Sequence, residues 1–283
     1  MSRKKVTILD LQRKKNNKQP LTMLTAYDFT GAQLVDNAEI DVILVGDSLG
    51  MVVLGYDSTV PVTMAEMLHH CRAVARGTQY AFTVGDMPFL SYQADMAEAV
   101  RNAGLLLKEG RMDSVKLEGG REMALTVEAV SRAGIPVMGH IGLTPQSQSK
   151  LGGYRVQGKT AVSAHNLVQD ALALEAAGCY SIVLEAVPEP VAIVISQKLT
   201  IPTFGIGAGA GCDGQVLVYH DLLGLFDRLQ PRFVKQYARL GQTALDALVA
   251  FREDVINGRF PTVEHTYPMS VEEEAEFRRM IAE

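Results

Sequence analysis

The chain repeats one pattern eight times: a short apolar segment rich in β-branched residues, followed in most cases by a stretch with helical period. The segments are LTMLTAYD from Leu21, DVILVGDS from Asp41, AFTVGDM from Ala81, SVKLEG from Ser114, PVMGHIGL from Pro136, SIVLEAV from Ser181, PTFGIGAG from Pro202 and a weaker QVLVYHD from Gln215. Strands this uniformly apolar lack a wet face, which fits a parallel sheet covered on both sides. Alternating strand and helix builds βαβ units with right-handed crossovers, and eight parallel strands close into a (β/α)8 TIM barrel. A doubly wound open sheet is the alternative. It is disfavoured because no GxGxxG follows the first strand and polar residues end nearly every strand instead of gathering at one switch point.

Helix signals between the strands agree. After the second strand, Thr63 and Glu66 form a capping-box pattern, and Met64, Met67, Leu68, Cys71 and Ala75 fall on one face up to Gly77. After the third, Met96, Val100, Ala103 and Leu107 repeat the spacing, with Gly110 as the stop. Gly134 and Gly178 sit where two further helices end before strands five and six. At 283 residues the chain is slightly longer than the roughly 250 of a typical barrel. A single barrel domain over residues 1–283 is expected, with a helical lead-in over about 1–20. An acidic helical extension over about 262–283, capped by Ser270 and Glu273, should lie outside the barrel or against a neighbour.

A net charge of -5 works against binding nucleic acid or an anionic membrane, so small-molecule chemistry is favoured. The basic start, MSRKKVTILDLQRKKNNK, lacks the apolar core of a signal peptide, and no later run reaches the ~18 residues of a membrane span; a cytoplasmic location is expected. Cys71, Cys179 and Cys212 are widely spaced without a CxxC, which argues for apolar fillers over disulfides or zinc ligands.

In such a barrel the catalytic groups come from the C-terminal ends of different strands. Those ends carry Asp47, Asp86, Glu118, His140 and Glu185, one for each of strands two to six. A lone Asp there is often a turn former, but Val-Gly-Asp ends two successive strands and a glutamate follows on the next. Converging carboxylates repel unless a cation neutralises them, and oxygen-only ligands favour Mg²⁺ over zinc. Lys116 and Glu118 are two apart and so share a face of their strand; the lysine is either a structural partner of a carboxylate or a cation for an anionic substrate. His140 is either a substrate contact or hydrogen-bonded packing. Glu185, between Leu184 and Ala186, is expected to have a raised pKa suited to a general base, with an arginine pair as the alternative. GIGAGAG, residues 205–211, has the composition of a phosphate cradle, though glycines also serve close packing. The long stretch TPQSQSKLGGYRVQGKT is a candidate cover over the mouth.

LTAYD, DVILVGDSLGMVVLGYDSTVPVTM, VGDMPF, VKLEGG, GHIGLTPQS, GGYRVQGK, IVLEAVP, FGIGAGAGCDGQVLVYHDLLG and PRFVKQYA together closely resemble ketopantoate hydroxymethyltransferases, in the order found in that family and over almost the whole chain. The resemblance implies transfer of a one-carbon unit from 5,10-methylenetetrahydrofolate to 3-methyl-2-oxobutanoate through a Mg²⁺-stabilised enolate, giving 2-dehydropantoate for pantothenate and coenzyme A synthesis. It implies Mg²⁺ at Asp47, Asp86 and Glu118, oxo-acid contacts from Asp47, Ser48, Asp86 and Lys116, with His140 as a further candidate, and Glu185 as the proton acceptor. It also implies a homo-oligomer, often a decamer. The chain departs from the family pattern at Glu39, where a glycine is usual before the second strand. Two alternatives stay open: a Mg²⁺-dependent lyase or mutase of the phosphoenolpyruvate mutase type, whose loop cysteine is missing here, and a non-catalytic phosphate-binding barrel.

Overall fold

The computed structural model describes residues 3–228 and 231–282. Eight strands form a closed barrel in sequence order: β1 Leu21–Thr25, β2 Val42–Val45, β3 Phe82–Asp86, β4 Ser114–Glu118, β5 Val137–Gly142, β6 Cys179–Glu185, β7 Thr203–Ile206 and β8 Gly214–Leu217. Every neighbouring pair is parallel, and β1 pairs with β8 to close the ring. All eight apolar segments of the sequence supply one strand each.

Closure splits the core in two. Side chains pointing inward, among them Leu21, Met23, Val42, Leu44, Phe82, Val84, Met138, Val183, Phe204 and Val216, make one apolar cluster inside the barrel. Those pointing outward pack under the helices in a second, larger cluster that includes Val45, Leu117, Ile141, Ile182 and Leu184. The alternation of successive side chains across a strand places Lys116 with Glu118, and Val183 with Glu185, on the inner set.

Helix α1 (Ile8–Asn16) closes the bottom of the barrel with Leu11, which is fully buried in the inner cluster. The basic lead-in has a structural use here. Lys14 pairs with Asp41 at 2.5 Å, Lys5 with Asp113 at 2.8 Å and Lys15 with Asp213 at 2.8 Å. Each of those aspartates also accepts two hydrogen bonds, from the amide and hydroxyl of Thr22, Thr83 and Thr203 respectively, at distances of 2.8 to 3.0 Å. Three Asp–Thr latches thus tie neighbouring strands at their N-terminal ends, and the lead-in neutralises their charge.

The outer layer holds α2 (Phe29–Asn37), α3 (Met64–Gly77), α4 (Met96–Lys108), α5 (Ala124–Arg132), α6 (Ala161–Ala176) and α7 (Glu189–Lys198). The capping box at Thr63 and Glu66 forms as the spacing predicts. In α4 the buried residues are Ala99, Ala103 and Leu106, with Met96 half exposed, so the apolar stripe is rotated from the expected Met96–Val100–Ala103–Leu107 line. No helix joins β7 to β8; residues 207–213 make the connection directly. After β8 come a single turn, Tyr219–Leu222, then α8 (Leu240–Ile256) and α9 (Val271–Met280), neither of which buries a residue. Ser270 caps α9 by accepting from the Glu273 amide. None of the three cysteines is bonded to another, and burial pushes the thiols of Cys71 and Cys179 up. Among the described residues no helix is long and apolar enough to cross a membrane.

Glu39 occupies the position just past the C-cap of α2, with φ +60. This is where helices commonly end on a left-handed glycine, because a Cβ there meets the following carbonyl. Glu39 is exposed and nothing in its surroundings requires a carboxylate. Glu39→Gly should therefore stabilise the fold by about 0.5–1 kcal/mol, the relief of left-handed strain less the greater unfolded-state freedom of glycine. The measurement is the denaturant midpoint, and an unchanged or lower midpoint would contradict it.

Candidate active site

The strand ends expected to carry chemistry meet at the C-terminal mouth. Register alone sets two of the contacts: Asp86 on β3 lies opposite Lys116 on β4, and Glu118 on β4 lies opposite His140 on β5. Lys116 Nζ is 2.9 Å from Asp86 Oδ1, and His140 Nδ1 is 3.4 Å from Glu118 Oε1. His140 Nε2 in turn lies 3.1 Å from Glu185 Oε2, reaching diagonally to β6. Asp47 joins through its backbone, whose amide donates to Asp86 Oδ2 at 2.9 Å. Gly46 makes room for this: a Cβ there would lie 2.9 Å from Ser48 Oγ and 3.5 Å from Asp86 Oδ2. Ser48 Oγ is 2.9 Å from the Tyr27 hydroxyl.

Glu185 is followed by Ala186 at φ +47, a conformation rarely adopted by residues with a side chain. Backbone bonds hold it there, from Ala186 N to Ile206 O at 2.9 Å and from Gln157 N to Ala186 O at 3.0 Å. The neighbour of the Glu185 carboxylate is thus an imidazole, and among the described residues no arginine is paired with it.

Burial sets the electrostatics. Asp47, Asp86, Lys116, Glu118 and His140 are each at most 5% exposed. Burial, then the nearby Asp86 and Glu118, pushes Asp47 well above the usual carboxylate range. Burial likewise raises Asp86, although Lys116 works against it. For Lys116 burial favours the neutral amine, but Asp86, Glu118 and Asp47 outweigh that and keep it protonated. His140 is pulled down by burial and by Lys116, yet the carboxylates of Glu118 and Glu185 beside it prevail and bring it to about 9. The charged wall therefore sets Lys116 and His140 against Asp47, Asp86, Glu118 and Glu185, and with all four acids ionised its balance would be negative.

A divalent ion suits that imbalance in one particular form. Among the described residues no three carboxylate, imidazole or thiol groups converge as a ready-made cage. Glu118 and Asp47 each accept one hydrogen bond from Gln146, at 3.0 and 2.8 Å. Asp86 Oδ1 is different: it is buried and makes no hydrogen bond, its approach to Lys116 having the distance of an ion pair but not the angle of a hydrogen bond. Together with the adjacent Asp47 it provides the one or two carboxylates by which Mg²⁺ is commonly held, the remaining positions going to water and substrate.

Gln146 escaped sequence reasoning. It lies in the long polar stretch after β5, yet it is buried, and its Nε2 donates to Asp47 Oδ2 at 2.8 Å and to Met87 O at 3.0 Å. Its Oε1 accepts from the Tyr92 hydroxyl at 2.8 Å. One amide side chain thereby ties the stretch to Asp47, while its backbone ties it to Glu118. Further along, Tyr154 and Val156 line the mouth, each 43% exposed. The cavity beneath measures about 430 Å³.

GIGAGAG lies mostly away from the charged wall, and its glycines answer to packing. A Cβ at Gly209 would come within 2.6 Å of Glu189, and one at Gly211 within 2.2 Å of Ile193, both on α7. The Ala210 amide donates to the Glu189 carboxylate at 3.0 Å, so an internal anion already occupies the place a phosphate would need. This removes the support for a phosphate-binding module.

Comparison with known proteins agrees with the motifs. The sequence profile of ketopantoate hydroxymethyltransferase matches residues 5–263. A 3-methyl-2-oxobutanoate hydroxymethyltransferase from Moorella thermoacetica is 56% identical over 94% of this chain and 98% of its own. One from Heliobacterium modesticaldum is 55% identical over 95% and 98%. Among solved structures, a phosphonopyruvate hydrolase in complex with oxalate and Mg²⁺ superposes with a TM-score of 0.60 at 14% identity, covering 98% of this chain and 97% of that one. A 2,3-dimethylmalate lyase gives 0.56 at 14% identity over 97% and 98%; at such identity these two share the fold. With the profile spanning the barrel and more than half of the residues shared with such relatives, the chain belongs to the ketopantoate hydroxymethyltransferase family.

Proposed function

We propose that the chain transfers a one-carbon unit from 5,10-methylenetetrahydrofolate to 3-methyl-2-oxobutanoate, with water supplying the hydroxyl oxygen, to give 2-dehydropantoate and tetrahydrofolate. The observation that carries this is the pairing, on one cavity wall, of a carboxylate-rich cluster beside a buried lysine with a glutamate held by a histidine. The names borne by relatives at 55–56% identity support the same substrate.

Mg²⁺ held by Asp47 and Asp86, with Glu118 beside them, would supply Lewis acidity toward the ketone of the oxo acid. Lys116 offers a fixed positive charge to the substrate carboxylate, and Ser48, positioned by Tyr27, offers a hydroxyl. Glu185 takes the proton from C3. Its Oε2 faces His140, which leaves Oε1 for that proton. His140, which the neighbouring carboxylates favour in its charged form, stands beside the base and limits the cost of a carboxylate in a partly desolvated site. The deprotonated C3 then forms its new bond to the carbon carried by the folate, while the two bonds from that carbon to folate nitrogens break, water supplies the hydroxyl group, and the C3 proton and the second water proton end on the freed nitrogens.

We also infer self-association. Helix α8 exposes Leu245 (54%), Leu248 (66%) and Phe251 (55%), an apolar row that a monomer would leave in water. A second copy of the chain is its natural cover, in accord with the oligomers implied by the family.

Incubation with 3-methyl-2-oxobutanoate, methylenetetrahydrofolate and Mg²⁺ should yield a product of the mass of 2-dehydropantoate; no product under saturating conditions would sink the assignment. Glu185→Gln should lower turnover by on the order of 10² to 10⁴-fold while oxo-acid binding, measured by calorimetry, is largely kept. Exchange of the C3 proton with deuterated solvent should vanish with it, and undiminished exchange would mean that another group is the base. Leu248→Lys combined with Phe251→Lys should reduce the sedimenting mass to that of smaller species, whereas an unaltered mass would place the contact elsewhere.

A further inference from the structure

The mouth is larger than a small oxo acid needs, and its two sides differ. One carries the charged wall already described. The other, formed after β7 and β8, is lined by Ile206, Val218, Asp221, Phe226, Arg232 and Phe233. Within this largely apolar lining Asp221 stands out. It lies in the turn Tyr219–Leu222 and is partly buried, and among the described residues its carboxylate has neither a cation at ion-pair distance nor a hydrogen-bond donor. Burial, with nothing opposing it, pushes its pKa up to about 6.

The other strand-end aspartates make the contrast. Asp41, Asp113 and Asp213 each hold a lysine and a threonine, and Asp86 holds Lys116 and the Asp47 amide. A partly buried acceptor without a protein partner relies on solvent for its hydrogen bonds, and a ligand that displaces that solvent must bring donors in its place. A second unpaired polar atom sits next to it: His220 Nδ1 is buried without a partner. Across the cavity Phe233 packs flat enough on the chain that a Cβ at Gly207 would lie 2.6 Å from its ring. Arg232, at the rim, is exposed.

This side of the cavity thus offers an unpaired carboxylate, two phenyl rings and, at an exposed residue, a guanidinium. A reduced folate presents the complementary series: the aminopyrimidinone edge of the pterin with adjacent N–H donors, a flat aromatic body, and an anionic glutamate tail. Resting on the function proposed above, we infer that Asp221 is the anchor for the pterin of the one-carbon carrier, its two oxygens accepting the paired N–H groups while Phe226 and Phe233 flank the rings and Arg232 meets the tail. Adjacent N–H donors on a planar edge match a carboxylate in the same paired way that a guanidinium does. The placement puts the carrier opposite the charged wall, so that its one-carbon unit faces the C3 position served by Glu185.

The test is a split between the two substrates, with full-length protein and Mg²⁺. In Asp221→Asn, whose amide turns one acceptor into a donor, the half-saturating concentration of methylenetetrahydrofolate should rise by about 10- to 100-fold, the span of one hydrogen bond to a charged group. The half-saturating oxo acid and the carrier-independent deuterium exchange at C3 should be retained. In the unmodified protein, a tetrahydrofolate analogue lacking the exocyclic amine should bind more weakly than tetrahydrofolate by calorimetry, a measurement that needs no variant to fold. Equal binding of the two, an unchanged carrier requirement in Asp221→Asn, or loss of C3 exchange together with carrier binding would each overturn the anchor. Failure of the unmodified protein to exchange the C3 proton or form product would instead count against the proposed function itself.

Discussion

A closed barrel leaves its inward-facing side chains nowhere to go but toward one another. At the C-terminal mouth this constraint brings Asp47, Asp86, Glu118 and Glu185 onto one wall, with Lys116 and His140 set among them. Everything chemical about the molecule follows from how that charge is shared. Three acids favour the charged form of Lys116, and two favour that of His140. Desolvation is what remains uncompensated, and it falls on Asp47 and Asp86, whose protonation it favours. A divalent cation bound by these carboxylates would relieve that cost.

Gln146 gives that cluster its geometry. Its side-chain amide and its backbone amide reach different acids, Asp47 and Glu118, from a segment that also carries the mouth-lining Tyr154. Whatever orders this segment is therefore mechanically linked to the positions of two carboxylates. Tyr92 extends the link, since its hydroxyl lies within hydrogen-bond distance of both Gln146 Oε1 and Glu118 O, while the Glu118 amide donates to it. Hydrogen bonds in such a network polarise one another in a poorly solvated site, so a single deletion is felt by all members.

The strands were legible because a parallel strand covered on both sides must be apolar throughout, and each of the eight segments from Leu21 to Gln215 satisfies that demand locally. The five strand-end groups, Asp47, Asp86, Glu118, His140 and Glu185, were legible for the same reason: a polar residue ending an apolar run has few explanations. The alternation rule gave Lys116 its face, and register then determined its partner. Gln146 was not legible, because its burial depends on where a loop lands and no periodicity records that. The stripe of α4 was misjudged at Met96 because volume and hydropathy rank methionine above alanine, whereas the close approach of a helix to the barrel selects Ala99 and Ala103. GIGAGAG misled in composition: glycine permits both anion binding and tight packing, and only the proximity of Glu189 and Ile193 decides between them.

The two ends of the barrel use the same residue for opposite purposes, and the difference lies in the partners. At the bottom, Asp41, Asp113 and Asp213 each receive an amide, a hydroxyl and an ammonium group, so every strand-end acid there is satisfied within the fold. At the top, Asp86 keeps an oxygen without a hydrogen bond, and Asp221 has no polar partner among the described residues. Satisfied acids lock strands together and gain nothing from a ligand. Unsatisfied ones store a desolvation cost that only a bound cation or donor can return, and that stored cost becomes binding free energy for whichever ligand relieves it. Stability is thus concentrated at the N-terminal face and reactivity at the C-terminal face because the latches below can carry the fold while the acids above are left incomplete.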